Sequence, residues 1–181
     1  FRSHGALYVI DNSFFVENEA IDGGGVSVVE YATLLVSHSQ FKGNKAISVA
    51  DTSCMGGAIA VACKDPQVVD SITCNAVVVV DNDSTFIEND SCGMGGAIAA
   101  GVQIDTMGSG NAVATSHINI VLGNSTFCNN SAVHSGGALY LGFNILSTLN
   151  NCCFWYNHAS YGGAIYKDPT GTEYVEAMCC L

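Results

Sequence analysis

Positive charge is nearly absent from this sequence. Arg2, Lys42, Lys45, Lys64 and Lys167 are its only strongly basic side chains, against 16 acidic ones. They are scattered and form no patch, which excludes nucleic acid as a partner, because phosphate binding needs clustered cations. An acidic surface poor in lysine suits solubility or divalent cations. Long apolar runs are also missing. The longest resemble Ala76 to Val80, far short of the about 18 residues a membrane span requires. No leader is visible, since Phe1-Arg2-Ser3-His4 runs straight into repeat-like sequence. The chain therefore reads as a processed product or a piece of something longer.

Several chemical signatures are lacking too. No CxxC spacing occurs, which argues against a zinc site or a thioredoxin-like motif. No Gly-x-Ser-x-Gly elbow exists to present a nucleophile. His4, His38, His117, His134 and His158 share no metal-ligand spacing. There is no recurring Thr-x-Thr ladder of the kind that binds ice, and no nine-residue calcium repeat.

What the sequence does have is cysteine: Cys54, Cys63, Cys74, Cys92, Cys128, Cys152, Cys153, Cys179 and Cys180. Nine in a chain of 181 residues point to disulfides in an oxidising compartment. The odd count leaves one thiol free or paired to another chain. Glycosylation sequons at Asn82, Asn89, Asn124 and Asn129 fit the same setting, although Asn, Ser and Thr are also ordinary turn residues.

One phrase recurs five times and decides the fold. It reads Ser-x-Phe-x-x-Asn, then a gap, then Gly-Gly-small-aliphatic. The copies are Ser13, Phe15, Asn18 with Gly24-Gly25-Val26; Ser39, Phe41, Asn44 with Gly56 to Ile59; Ser84, Phe86, Asn89 with Gly95 to Ile98; Ser125, Phe127, Asn130 with Gly136 to Leu139; and Cys152, Phe154, Asn157 with Gly162 to Ile165. A clipped copy, His4-Gly5-Ala6-Leu7, opens the chain. A unit of about 26 residues matches one coil of a parallel β-helix, not a helical repeat. Each unit is rich in Val, Ile, Thr, Gly and Asn and poor in helix formers. Longer intervals carry loops at about 63–75, with Pro66, and about 102–115, with Gly108-Ser109-Gly110.

Coils of a β-helix stack at the strand spacing of about 4.8 Å, so equivalent residues lie above one another. Ser and Phe, two apart, share a strand face. The phenylalanines Phe15, Phe41, Phe86, Phe127 and Phe154 are then expected in one interior column. Asn18, Asn44, Asn89, Asn130 and Asn157 fall on the opposite parity, so the chain turns there. Asn tolerates the left-handed conformation and its amide can bond the amides above and below. Gly-Gly gives a corner with no room for a side chain. A further strand precedes the serine (Leu34 and Val36, Val77 to Val80, Ile118 to Leu122), which predicts three strands and three corners per coil. Ile59, Ile98, Leu139 and Ile165 are expected inside, and Tyr8, Tyr140 and Tyr166 outside with Ala60 and Ala99. Ser27 breaks the aliphatic position in the first copy. The tyrosines form either a ligand-binding stripe or ordinary strand decoration.

The alternation of Gly-Gly-Ala-Ile with Phe-x-x-Asn, from Gly5 to Ile165, resembles the passenger domains of the polymorphic outer membrane protein family and the wider class of right-handed parallel β-helix repeat proteins. That resemblance implies an all-β single-stranded solenoid of about five to six coils, one domain over 1–181. It also implies a secreted surface protein with an adhesive role. Those bacterial passengers precede a membrane barrel, for which no segment is seen here. Sequons and cysteine-bearing loops would equally suit a eukaryotic extracellular protein.

Repeat alignment suggests cysteine pairs, since a disulfide needs Cα atoms within about 7 Å. Cys54 and Cys92 precede Gly-Gly corners in adjacent coils. Cys63 and Cys74 bracket the first insertion. Cys128 and Cys153 flank stacked phenylalanines, Cys152 replaces an inward serine, and Cys179 and Cys180 could tie down the tail. Asp81, Asp83, Glu88 and Asp90 are the densest acidic cluster, a weak calcium candidate or simply a solvated turn.

The leading expectation is an extracellular or cell-surface structural or adhesive protein, with a repeating subunit of a filament or surface layer as one form of it, working through self-association or neighbouring extracellular proteins and glycans, with no catalytic residues and no cofactor. The alternatives are a polysaccharide lyase or hydrolase, which needs convergent carboxylates, and a calcium- or glycan-binding module.

Overall fold

The computed structural model describes residues 5–29, 31–48, 54–63, 71–102, 113–169 and 175–178. Coil one comprises β1 (Leu7–Asp11), β2 (Phe14–Val16), β3 (Glu19–Ala20) and β4 (Val26–Val29). Coil two comprises β5 (Thr33–Ser37), β6 (Gln40–Lys42), β7 (Lys45–Ala46) and β8 (Ile59–Cys63), followed by β9 (Ser71–Cys74). Coil three comprises β10 (Val77–Asp81), β11 (Thr85–Ile87), β12 (Asp90–Ser91) and β13 (Ile98–Val102), followed by β14 (Val113–Ser116). Coil four comprises β15 (Ile118–Gly123), β16 (Thr126–Cys128), β17 (Ser131–Ala132) and β18 (Leu139–Leu141). Coil five comprises β19 (Ile145–Asn150), β20 (Cys153–Trp155) and β21 (Ile165–Lys167), and β22 (Val175–Met178) opens a sixth turn.

Each coil contributes one strand to each wall of a parallel β-helix. Wall one runs β1-β5-β10-β15-β19-β22, wall two β2-β6-β11-β16-β20, wall three β3-β7-β12-β17 and wall four β4-β8-β13-β18-β21. There are thus four walls, not the three expected. Wall three was missed because its strands are two residues long, too short to show an alternation. No helix occurs among the described residues.

Parity sorts the side chains. Phe15, Phe41, Phe86, Phe127 and Phe154 pair in register and point inward. Their rings stack with centroids 4.7, 4.8, 4.8 and 4.8 Å apart and nearly parallel planes. The strand spacing imposes that distance. Burying each of the central rings stabilises the fold by about 2–3 kcal/mol. Wall one adds the inward columns Leu34, Val78, Ile120 and Val36, Val80, Leu122, Leu149; wall four adds Ile59, Ile98 and Leu139.

The asparagines form a second interior ladder. Asn18 Nδ2 donates to Asn44 Oδ1 (2.8 Å), Asn44 to Asn89 (3.0 Å), Asn89 to Asn130 (2.9 Å) and Asn130 to Asn157 (3.0 Å). Each Oδ1 also accepts the backbone N–H of the preceding rung's asparagine. The second amide hydrogen of Asn44, Asn89, Asn130 and Asn157 goes to the carbonyl of Phe15, Phe41, Phe86 and Phe127 respectively. A buried amide with every hydrogen bond made carries no desolvation penalty, which is why Asn44, Asn89 and Asn130 can be completely buried.

The ladder asparagines are not themselves left-handed, contrary to expectation. The positive φ falls one residue earlier, on Glu17, Gly43, Glu88, Asn129 and Tyr156. Turning before the asparagine leaves its side chain free to point inward. At the opposite corner, Gly95 has φ 64°, and a Cβ on Gly96 would lie 2.1 Å from the Gly137 carbonyl oxygen. One glycine there supplies the conformation and the other the close approach.

Two alignments need correction in the first coil. The corner pair is Gly23-Gly24, with φ 63° at Gly23, so Val26 pairs with Ile59 and Ser27 with Ala60. Ser27 therefore breaks nothing. The opening residues are not a clipped Gly-Gly copy either. Leu7–Asp11 pairs with Thr33–Ser37, so Tyr8 lies beside inward Leu34 on wall one and is no part of a tyrosine stripe.

Candidate functional surface

Function on a filled solenoid has to come from outside, and four outer features stand out. The first is the corner between walls one and two. Asp11 accepts hydrogen bonds from Ser37 Oγ (2.7 Å) and Asn12 Nδ2 (2.8 Å), and its Oδ1 lies 3.0 Å from His38 Nδ1. The Ser37 bond first, then the His38 bond, hold its carboxyl below the ordinary aspartate range. Further along, Asp81 Oδ1 accepts from the Asn82 backbone N–H (2.7 Å) and from Asn124 Nδ2 (2.8 Å), and Asn151 Nδ2 donates to Asn124 Oδ1 (2.8 Å).

The second is a charge ladder on wall three. Glu19, Lys45, Asp90 and Ser131 are register partners on successive rungs. Ser131 Oγ donates to Asp90, and Lys42 lies 3.8 Å from Glu88. Opposite charges side by side on neighbouring strands favour this register.

The calcium candidates are therefore not brought together. Asp81 and Asp83 belong to the corner between walls one and two, whereas Glu88 and Asp90 lie beyond wall two and pair with Lys42 and Ser131. No group of three or more His, Cys, Asp or Glu able to hold a metal occurs among the described residues.

The third is the cysteine set. Cys54 and Cys92 form a disulfide with Cα atoms 5.5 Å apart. Its setting was not legible from the repeat alone: it pins a third insertion. Eleven residues lie between Asn44 and Gly56, against five between Asn89 and Gly95. Cys128 and Cys153 are not bonded, which corrects that pairing. Cys128 is the register partner of Trp155, and Cys153 that of Thr126. The two thiols are thus diagonal, with Cα atoms roughly 8 Å apart from strand spacing and rise. Cys152 is buried in the serine column, its thiol donating to the Asn150 carbonyl at 3.4 Å. The side chains of Cys63 and Cys74, and the whole of Cys179 and Cys180, lie outside the described residues.

Both long insertions expected as loops contain strand where they are described: β9 and β14 pair in parallel, Ser71 to Cys74 against Val113 to Ser116. Both emerge from the corner between walls four and one. Near them, the outward Ala60 and Ala99 are not exposed but covered by Met55, with Met94 and Tyr140 packed alongside. Tyr140 stacks on Tyr166 with centroids 5.7 Å apart. Burial, then the charge of Asp168, push the Tyr140 phenol above its usual range.

The fourth feature concerns the sequons. Asn82, Asn124 and Asn129 are exposed, and Asn124 also bonds Asp81. Asn89 is withdrawn as a glycosylation candidate, because it is wholly buried and both its amide hydrogens are used in the ladder.

Five filled coils with parallel walls and stacked interior ladders define a parallel β-helix repeat protein. Residues 124–142 match the Chlamydia polymorphic membrane protein repeat, covering the corner, the Phe127 strand, Asn130 and the Gly136-Gly137 turn of coil four. The match and the all-parallel sheets fit a β-helix like that of the polymorphic outer membrane proteins, and with them a surface or outer-membrane setting. No curated protein and no solved structure matches the chain. Among the described residues, no helix is long and apolar enough to cross a membrane.

Proposed function

We propose that this chain is part of a structural and adhesive rod displayed at a cell surface, not a catalyst. The observation that carries this reading is the use of the repeated residues. Every recurring Phe, Asn, Ser and Gly is consumed in building the solenoid, and the outer side chains vary from rung to rung. A scaffold of this kind keeps its geometry while its surface changes, which suits contact functions spread over walls and corners. The catalytic alternative needs two carboxylates facing one bond; the acidic cluster is instead divided between corners, with Asp81, Glu88 and Asp90 each beside a neighbour of its own.

The ladder also favours lengthwise association. Each asparagine donates to the next rung, so the pattern accepts further coils of the same repeat, from the same polypeptide or from another copy. Light scattering that finds only monomers at every concentration tested removes association of copies. For the main reading, beads coated with the protein should adhere to cells or matrix while turnover of pectic and other acidic glycans stays at background. Measurable glycan cleavage, or beads that adhere no better than uncoated ones, would overturn it.

A further inference from the structure

The charge of the molecule is distributed unevenly along its axis. Between Asp105 and Lys167 the sequence contains no Asp, Glu, Lys or Arg. Coils four and five lie within that interval up to Lys167, the last residue of β21, so walls one to three of two successive rungs carry only uncharged groups and histidine. The same rungs hold exposed aromatic rings. Trp155 is 55% exposed, Tyr156 82% and Tyr161 67%.

Tyr156 is also held in an unfavourable conformation. Its φ is 54°, in the left-handed region that bulky residues rarely adopt. The corner is left-handed in every coil, at Glu17, Gly43, Glu88 and Asn129, and three coils earlier glycine occupies it, with φ 64° at Gly43. Glycine therefore fits this corner without strain, and a large exposed ring occupies it at a cost to stability. Strain retained at an exposed position points to a role for the side chain.

The neighbours of these rings are short hydrogen-bonding groups. Trp155 pairs across the rungs with Cys128, and the Asn129 backbone N–H donates to the Trp155 carbonyl, which sets Asn129 beside the Trp155-Tyr156 corner. His158 bridges to Ser131 on wall three. Rings and mixed donor-acceptor groups thus alternate along one rim. A sugar ring presents the same alternation, with C–H faces that lie on an aromatic ring and hydroxyls that both donate and accept. The rim has no lysine or arginine to hold a sulfated or uronic chain, and the Asp90 carboxylate bonded to Ser131, with the net charge of −11, repels one.

We propose that the rim formed by Trp155, Tyr156 and His158, with Asn129 and Ser131 of the rung before, binds a neutral glycan. This rests on the surface-adhesive reading and gives it a ligand class and a place. The site is an open rim, so single-site binding is weak and gains strength from repetition of ligand or protein.

Trp155 is the chain's single tryptophan, so its fluorescence reports the site directly. Titration with neutral tetrasaccharides of glucose, mannose and N-acetylglucosamine should shift the emission to the blue and shield it from acrylamide. A polygalacturonate tetramer should do neither. Tyr156→Gly should weaken the neutral ligand about tenfold, yet raise the melting midpoint by about 2–4 °C as the left-handed strain is released. A merely structural tyrosine would not separate binding from stability in this way. Trp155→Ala should abolish the calorimetric binding signal. The inference is overturned if no neutral sugar moves the emission up to about 10 mM, if the acidic tetramer binds equally well, or if the emission instead tracks protein concentration and marks a contact between copies. Bead adhesion that survives both substitutions removes the sugar site and leaves the surface role standing.

Discussion

Replacing Asn89 by alanine tests the ladder where it is most demanding. Its side chain makes four hydrogen bonds: Nδ2 donates to Asn130 Oδ1 (2.9 Å) and the Phe41 carbonyl (3.0 Å), and Oδ1 accepts from the Asn44 backbone N–H and Asn44 Nδ2 (both 3.0 Å). Truncation leaves two Asn44 donors buried without partners, since Asn44 is itself 0% exposed. Each orphaned group costs about 1–3 kcal/mol, and water reaches neither. Asn89→Ala should therefore lose about 3–5 kcal/mol in urea unfolding followed by far-ultraviolet circular dichroism. Asn18→Ala is the control. Its side chain has one ladder bond, to Asn44 Oδ1, and Asn44 Oδ1 still accepts from the Asn18 backbone N–H. That loss should be about 1 kcal/mol. Equal losses at the two positions, or an Asn89→Ala protein within about 1 kcal/mol of the parent, would refute the assignment of stability to buried amide bonds.

Three other outcomes follow from the same geometry. Ser147 points into the core beside Ile120, completely buried, with its hydroxyl unpartnered; Ser147→Val should raise the unfolding free energy by about 1–2 kcal/mol in the same urea experiment. Replacing both Cys54 and Cys92 by alanine opens a linkage spanning 38 residues, and should lower stability under oxidising conditions by about 3–4 kcal/mol while leaving the reduced parent and the variant alike. The depressed Asp11 carboxyl stabilises the fold at neutral pH, and that contribution is lost as pH falls below the ordinary aspartate range and through its folded value. Carbon-detected NMR titration should place its midpoint below that of a free aspartate, and Ser37→Ala should move it upward.

The interior was legible in the sequence because its side chains do one job at one spacing. Phe and Asn recur three apart in every copy, and only stacked coils at the strand repeat make use of that. The corners were less legible, since left-handed positions accept glutamate, glycine, asparagine and even Tyr156 when the surrounding strands fix the backbone. Gly23-Gly24-Gly25 offers two possible glycine pairs, and only the pairing of Val26 with Ile59 selects the right one. Cysteine pairing failed at Cys128 and Cys153 for a similar reason: both flank a stacked phenylalanine, but from opposite sides along the strand. The outer surface was hardest to read. Whether Ala60 faces water depends on Met55, which arrives from a different segment of the coil, and periodicity carries no information about that.

The corner between walls four and one is built differently from coil to coil. In coil four the chain rounds it in the few residues from Leu141 to Ile145, whereas coils two and three each leave there on long excursions and return in step. The parallel register of walls one and four runs on through the difference. Such a joint is a natural splice point, where new sequence can be written into the molecule, and foreign epitopes carried by it, without rewriting the spiral that displays them.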